Sequence, residues 1–363
     1  MRLTVLLACV VLASSAPAVA NTPPEAEPFF GHWEGVALRG ARETPFALDV
    51  EVIDGRVVVS WSLPDQGILR FRPPEPTFAD GRMKGGHAID AGVAARVLSG
   101  TLARHGWQAT ITARPAAAPS RPYREENVQF SNGGIELAGT LIQPEGAGPF
   151  PALVFLHGSG TATRWWSYWA AVQFSRIGYA SLIFDKRGSG ESKGDWTQAS
   201  LDDLARDGVA GVAFLAARPE IDAARIGIWG HSQAGWVATR MTTMTPKIRF
   251  LVMVAGGGVT PYDEEIFSYR LALKHGGFDA EAERDGLALV ETYFSYLRGD
   301  IDLARMKAAL DAASNAPWYE TLGLEHVLPD EDTRAQWRWV PTYDPVEDIA
   351  HIVCPALLLF GEN

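Results

Sequence analysis

The stretch that most limits what this chain can fold into is Arg225–Thr239, RIGIWGHSQAGWVAT. Ile226, Ile228 and Trp229 read as a short buried strand. Gly230-His231-Ser232-Gln233-Ala234-Gly235 reads as a tight turn, and the residues from Gln233 onward read as a helix. A serine in such a strand–turn–helix corner, with glycine two residues before it and a small residue two after, fits a nucleophile elbow. The spacing has a steric cause. At Gly230 or Ala234 a larger side chain would collide with the neighbouring strand or helix. The turn lifts the Ser232 hydroxyl clear of the sheet and starts a helix directly beneath it. The first N–H groups of that helix lack intrahelical partners, and its dipole favours negative charge there.

The surrounding pattern is that of an α/β sheet. Glu126–Phe130 and Ile135–Gln143 read as a hairpin around Ser131-Asn132-Gly133-Gly134. Pro151–Leu156 is a continuous apolar strand, as expected where both faces of a sheet are covered. Trp165–Ile177 then reads as a helix, Ala180–Phe184 as a strand, and Leu201–Arg218 as a helix capped by Ser200 with Asp202 and Asp203 in its first turn. The elbow follows, and Phe250–Val254 is one more strand. Strands alternating with helices imply a mostly parallel sheet with helices on both faces. Tyr262–Asp348 interrupts the alternation with helices at Asp263–His275, Ala280–Arg298 and Ile301–Ala313 and with frequent aromatic residues. It reads as a helical lid inserted at the carboxyl edge of the sheet, where ligands bind in open α/β sheets. Pro355–Phe360, PALLLF, reads as a further buried strand.

The chain ahead of this region is different. Phe29–Ala118 carries short β-type stretches, His32–Leu38, Pro45–Val52, Arg56–Leu63, Ile68–Arg72 and Gly106–Ala113, separated by glycine turns. It reads as a small β-rich domain. Asp65, His87 and His105 read as turn or surface residues. Ala116–Arg124 looks like a linker. The expected organisation is therefore a flexible Pro-rich segment at 21–28, a β-rich domain at 29–118, and an α/β domain at 119–363 with its insertion at about 262–348.

Met1–Ala20 joins Arg2, an apolar run at Leu3–Leu12 and the small-residue site Ala18-Val19-Ala20. That is the pattern of a secretory signal peptide, too short for stable membrane insertion, and it implies export to the periplasm or medium after cleavage near Ala20. Cleavage removes Cys9 and leaves Cys354, so no intrachain disulfide is expected; Cys354 reads as a small buried residue. No Cys/His cluster has metal-ligand spacing, so no metal is expected, and nothing calls for an organic cofactor. A net charge of −11 gives no basic footprint and excludes nucleic acid as the expected partner.

His157-Gly158-Ser159-Gly160 follows the PALVFL strand. A glycine-rich turn there aims main-chain N–H groups into the space above Ser232. With the Gln233 N–H, the Ser159 N–H, or in its place that of Gly158 or Gly160, would form an oxyanion hole for an attacked carbonyl. HGSG after one strand, Phe184-Asp185-Lys186-Arg187-Gly188-Ser189-Gly190-Glu191-Ser192 after the next, and GHSQAG after the next follow the order of the α/β-hydrolase family, which the chain resembles from about Glu126 to Asn363. The FDKRGSGES loop is similar to the family's D-x-R-G-x-G-x-S loop, whose role is to shape the fold near the site, and no catalytic role is expected of it. Gly31-His32-Trp33-Glu34-Gly35 and Trp61–Gly67 resemble the β-rich N-terminal domain of a group of exported bacterial serine esterases. Ala234 stands where the family more often has glycine.

A serine hydroxyl needs a base to take its proton and an acid to orient that base. In the family these follow in the order serine, acid, histidine, with the acid just after the strand resembling PALLLFGEN and the histidine on a later loop. No residue of this chain matches either position, so the triad acid and histidine are expected beyond it. Of the histidines present, His351 precedes a strand that puts it roughly 20 Å away, at about 3.3 Å per residue. His231 should point away from Ser232, His157 belongs to the oxyanion loop, and His275 and His326 lie in the insertion. The resemblance implies a serine hydrolase of carboxylic esters, acting through an acyl-enzyme on Ser232 on small substrates with an apolar group. Two alternatives stay open: a serine aminopeptidase-like amide hydrolase, with Asp263, Glu264 and Glu265 as a candidate acidic anchor for an amine, and a non-catalytic binding protein on a hydrolase scaffold.

Overall fold

The computed structural model describes residues 23–361 apart from 54, 74, 75, 86, 87, 105 and 106. The export segment, Cys9, His87 and His105 lie outside the described residues. The chain divides into two compact units, Met1–Ser120 and Arg121–Asn363.

The first unit is built from nine strands: β1 (Gly31–Arg39), β2 (Arg42–Ile53), β3 (Arg56–Leu63), β4 (Ile68–Phe71), β5 (Pro76–Ala79), β6 (Arg82–Gly85), β7 (Ile89–Ala94), β8 (Val97–Arg104) and β9 (Trp107–Ala116). They form one sheet in the order β4-β3-β2-β1-β9-β8-β7-β6-β5. Every pairing is antiparallel. Alternation assigns the faces. Phe46, Leu48 and Val50 of β2 enter the core, and register carries Trp33, Leu48 and Trp61 across β1, β2 and β3 in one apolar row. One residue along, His32, Asp49 and Ser60 make a second row of opposite facing, also buried. His32 Nδ1 lies 2.8 Å from Asp49 Oδ1, and Arg70 Nη2 donates to Glu51 Oε2 at 2.8 Å. The five expected stretches form strands with shifted ends, while β5 to β8 carry no clear alternation of large apolar residues and are not legible as strands. The segment expected to be flexible is partly folded: Pro24–Phe29 is a 3-10 helix. Its order has a packing cause, because Ala26 and Phe29 are buried and Phe29 O accepts from Trp33 Nε1 at 2.8 Å.

The second unit has β10 (Tyr123–Asn132), β11 (Ile135–Pro144), β12 (Phe150–Phe155), β13 (Ala180–Phe184), β14 (Ile221–His231), β15 (Ile248–Val254) and β16 (Ala356–Leu359). Their order is β10-β11-β13-β12-β14-β15-β16. β10 and β11 form the antiparallel hairpin, β11 meets β13 antiparallel, and the remaining pairings are parallel. The crossover helices are α1 (Tyr168–Arg176), α2 (Leu201–Ala216) and α3 (Ala234–Met244). Ser200 caps α2 in a reciprocal box with Asp203. Ala152, Val154, Leu156, Leu182, Ile226, Ile228 and Leu251 are buried and form one core with one face each of α2 and α3. From β12 the chain runs to β13 on one side, then returns to β14 on the other. Strand order therefore reverses between β12 and β14, where a crevice opens at the carboxyl ends of the strands.

One expectation fails in this sheet. Pro355–Phe360 reads as a buried strand, yet Leu357 is 52% exposed and Leu358 55% exposed. β16 pairs with β15 along one edge, and among the described residues no helix covers its side chains. Cys354, expected to be buried, is half-buried and unpaired.

The insertion folds as α4 (Pro261–His275), α5 (Ala280–Arg298), α6 (Leu303–Ala313) and the single-turn helices α7 (Tyr319–Leu322), α8 (Arg334–Trp337) and α9 (Val346–Ile349). Tyr293, Phe294, Tyr296, Trp318 and Tyr319 build a core of its own with Leu273, Leu289 and Met306. Both its ends are tied to α3: Trp236 Nε1 donates to Val259 O at 2.8 Å, and Arg240 Nη1 to Asp348 Oδ1 at 3.2 Å. Trp337 Nε1 donates to Thr197 O at 2.9 Å, with its ring 5.8 Å from that of Trp196. Among the described residues no helix is long and apolar enough to cross a membrane.

Candidate active site

Ser232 sits between the last residue of β14 and the first turn of α3, with φ of 57°. A non-glycine residue in the left-handed region costs about 1–2 kcal/mol, so its neighbours must hold it there. Several do. Ser232 N donates to Val254 O at 3.0 Å, fixing the turn to the end of β15. Ser232 O accepts from Gly235 N at 2.8 Å. A Cβ on Gly230 would lie 2.6 Å from Ala234 Cβ, which is the close approach that the glycine permits. Gln233 is the N-cap of α3, so the helix proper starts one residue later than its sequence suggests.

The second loop leaves the adjacent strand. β12 and β14 pair with Phe155 opposite Trp229, and Leu156 N donates to Trp229 O at 2.9 Å. His157–Gly160 therefore emerges beside the elbow. A Cβ built on Gly158 would stand 3.7 Å from Ser232 Cβ. Among the described residues, no main-chain or side-chain acceptor takes the Gln233 N–H or the N–H groups of Gly158, Ser159 and Gly160. Ser159 is exposed and Ser232 half-buried. The corner thus combines an accessible hydroxyl with uncommitted N–H donors from two neighbouring loops, an arrangement suited to binding negative charge on an attacked oxygen.

The histidines are placed apart from the hydroxyl. His157 Nε2 donates to Phe184 O at 2.5 Å, which orients the ring away from a catalytic role. Burial lowers its pKa to about 4; the Phe184 bond opposes that shift and the Lys186 charge adds to it. His231, His275, His326 and His351 are exposed. Among the described residues none of these histidines hydrogen-bonds Ser232. Asp263 is engaged in capping α4, where its N–H and carboxylate both meet Thr260 Oγ1. Glu264 and Glu265 are half-buried, and burial raises both carboxyls, with Glu264 adding to the shift of Glu265. Glu320, Glu325 and His326 bring ligand-type atoms within 4.8 Å of one another, but all three are exposed.

Two features near the corner escape a reading of motifs. Ala255-Gly256-Gly257-Gly258, after β15, packs against the elbow: Cβ atoms on Gly235 and Gly256 would collide with Gly256 C at 2.4 Å and Ser232 O at 2.0 Å. Its signal was the glycine run itself. The other is Lys186 in the FDKRGSGES loop, which is 3% exposed and donates from Nζ to Gly158 O at 3.0 Å, Gly160 O at 3.2 Å and Gln233 Oε1 at 3.0 Å. Its flanking residues hold the scaffold. Arg187 makes a paired contact with Asp207, at 2.7 Å from both Nε and Nη2. Asp185 accepts from the N–H groups of Arg164 at 2.8 Å and Glu191 at 3.0 Å.

A parallel sheet with an antiparallel hairpin at one edge, a serine elbow after β14 and a glycine loop after β12 define an α/β hydrolase. Residues 133–362 match the X-Pro dipeptidyl-peptidases of the S15 family, and the chain belongs to that family. The thiohydrolase aneE of Aspergillus aculeatus is 34% identical over 122 residues, 33% of this chain and 38% of that protein. The quorum-quenching protein AidA of Acinetobacter baumannii is 31% identical over 115 residues, 31% of this chain and 38% of that protein. The matched stretch thus spans about 38% of the length of both curated relatives. Among solved structures, the α/β hydrolase GrgF from Penicillium sp. sh18 aligns with a TM-score of 0.40 at 18% identity, over 66% of this chain and 90% of that one.

Proposed function

We propose that this protein is a serine hydrolase that cleaves carboxylic esters through an acyl-enzyme on Ser232. The observation that carries the reading is the position of Ser232, held at positive φ between the uncommitted N–H groups of Gln233 and the HGSG loop. Ser232 Oγ attacks the ester carbonyl carbon as its proton leaves to a base. The carbonyl electron pair moves onto oxygen, where the N–H groups of Gln233 and Ser159 receive it. Collapse of the adduct breaks the bond to the alcohol, which departs with a proton, and water then releases the acid by the same steps in reverse order. No base is assigned among the described histidines. The proposed substrate is a small ester with an apolar acyl or aryl group. Most aromatic residues of the insertion fill its own core, while Trp339 and Tyr343 pack against the core of the sheet.

A second reading, hydrolysis of peptide amides, is favoured by the S15 family match. It needs an anchor for a substrate amine; of the acidic residues at the start of α4, Asp263 is taken up by the cap of that helix, while the half-buried Glu264 and Glu265 make no ion pair among the described residues. We also propose that Met1–Ala20 directs export. Mass spectrometry of the mature N-terminus checks this: a chain starting at Asn21 agrees, and an intact Met1 on the exported protein refutes it.

The test of the main reading is labelling of the full-length protein with a fluorophosphonate probe. Labelling of wild type and none of Ser232→Ala is expected. Absence of labelling in folded wild type overturns it and favours a binding role. Comparing p-nitrophenyl esters with aminoacyl p-nitroanilides separates the ester from the amide reading.

A further inference from the structure

We propose that Lys186 is the positioning residue of the oxyanion hole, holding both of its donor loops in place; this rests on the serine-hydrolase reading of Ser232. A lysine is costly to bury unless its ammonium is well paired. At Lys186 the three protons of the ammonium meet three acceptors, Gly158 O at 3.0 Å, Gly160 O at 3.2 Å and Gln233 Oε1 at 3.0 Å. Two belong to the loop after β12 and one to the elbow, so a single side chain from the loop after β13 bridges the two loops that supply the N–H groups.

The choice of acceptors has a geometric consequence. In a trans peptide the C=O and the following N–H lie in one plane and point in opposite directions. The Gly158 carbonyl and the Ser159 N–H share such a plane. Drawing Gly158 O onto Lys186 Nζ turns the Ser159 N–H the opposite way and stops the glycine-rich segment from rotating about it. Hydrogen bonding at the carbonyl also polarises the peptide and strengthens its N–H as a donor. At the elbow the same ammonium fixes the side chain of Gln233, whose own N–H is the other donor. Trp196 lies over the ammonium, 5.2 Å from Nζ to the ring centroid, and limits access of water from that side. The charged and titratable groups around it are His157 on the loop after β12 and Asp207 on α2, both lining the same small cavity. Asp207 is committed to Arg187, which leaves the ammonium to the carbonyls. Burial lowers the Lys186 pKa to about 8, consistent with a group held away from solvent.

The test compares full-length wild type, Lys186→Met and Ser232→Ala for fluorophosphonate labelling rate, ester kcat and KM, and amide exchange of peptides spanning 156–163. Methionine keeps the length of the stem and removes the donors. Lys186→Met is expected to lower kcat and labelling rate about 100-fold, the scale of one lost oxyanion donor, with KM changed less than about threefold. Exchange at 156–163 is expected to quicken while the rest of the chain keeps its protection. Lys186→Gln, which retains two N–H donors, is expected to fall between the two and carries the same measurements if the methionine variant does not fold. Wild-type rates in folded Lys186→Met, or unchanged loop exchange, overturn the role of Lys186 while leaving Ser232 in place. Wild type as unreactive as Ser232→Ala overturns the hydrolase reading and the oxyanion role with it.

Discussion

Gly256 rests on the back of Ser232, so closely that a Cβ on Gly256 would stand 2.0 Å from the Ser232 carbonyl oxygen. The elbow is therefore wedged between α3 and the loop after β15, which is how a serine is kept at a φ that it would otherwise leave. Gly256→Ala is expected to cost about 1–3 kcal/mol by overpacking and to abolish labelling at Ser232 as the turn shifts. Gly158→Ala is the contrast. Its methyl would meet Ser232 Cβ at 3.7 Å, an ordinary contact, so folding should be preserved. Chemical denaturation and probe labelling of both variants check this. Wild-type stability and labelling in Gly256→Ala would show that the wedge is not needed.

His157 makes the protein sensitive to acid in a defined window. Its folded pKa of about 4 lies below the ordinary histidine value of 6.5. Between those values the unfolded chain binds the proton and the folded one does not, so stability falls as pH drops through that range. The full effect is up to about 3 kcal/mol. His157→Gln keeps an N–H for Phe184 O and removes the titration. Urea unfolding from pH 7 to 4 should show a steeper loss for wild type than for the variant, and parallel curves would contradict the assignment.

Arg187 and Asp207 are both nearly inaccessible and tie the loop after β13 to α2. Arg187→Met or Asp207→Asn should each cost about 3–5 kcal/mol, because each leaves a buried charge without its partner. The double variant should lose clearly less than the sum. Additive losses in a double-mutant cycle would show that the two residues act independently.

The insertion is held over the sheet unit in part by the bond from Trp337 Nε1 to Thr197 O. Trp337→Phe keeps an aromatic ring but removes the donor with half of the indole, and is expected to cost about 1–2 kcal/mol. The loss should be local, seen as faster amide exchange around 334–343 with unchanged protection in β12 to β15. Global loss of protection would mean that the insertion is integral to the sheet's stability.

The α/β unit was legible because its strands are continuous apolar runs and its loops carry glycine at sterically fixed places. Val154 and Ile228 announce buried strands, and the spacing of Gly230 and Ser232 announces the corner between them. The first unit was less legible. β5 and β6 have only four residues each, and β6 to β8 carry small residues such as Gly85, Ala91 and Gly100 where alternation would need large ones, so long-range pairing decides their conformation. The buried row of His32, Asp49 and Ser60 is set by register across three strands, which no local pattern records. Lys186 escaped for a similar reason. Inside a loop recognised for its shape it looks like any surface lysine, and its acceptors lie 26, 28 and 47 residues away in sequence. The PALLLF run shows the opposite error, since apolar composition expresses a need for cover that β15 alone does not meet.

The two ties of the insertion to α3 have a mechanical consequence. Val259 and Asp348 are pinned to Trp236 and Arg240, one turn apart on the same helix. A body attached at both ends to one rod can swing about the rod's axis without stretching either attachment, but it cannot slide along it or lift away. The bond from Trp337 to Thr197 lies off that rod, so it has to break before the insertion can turn about α3.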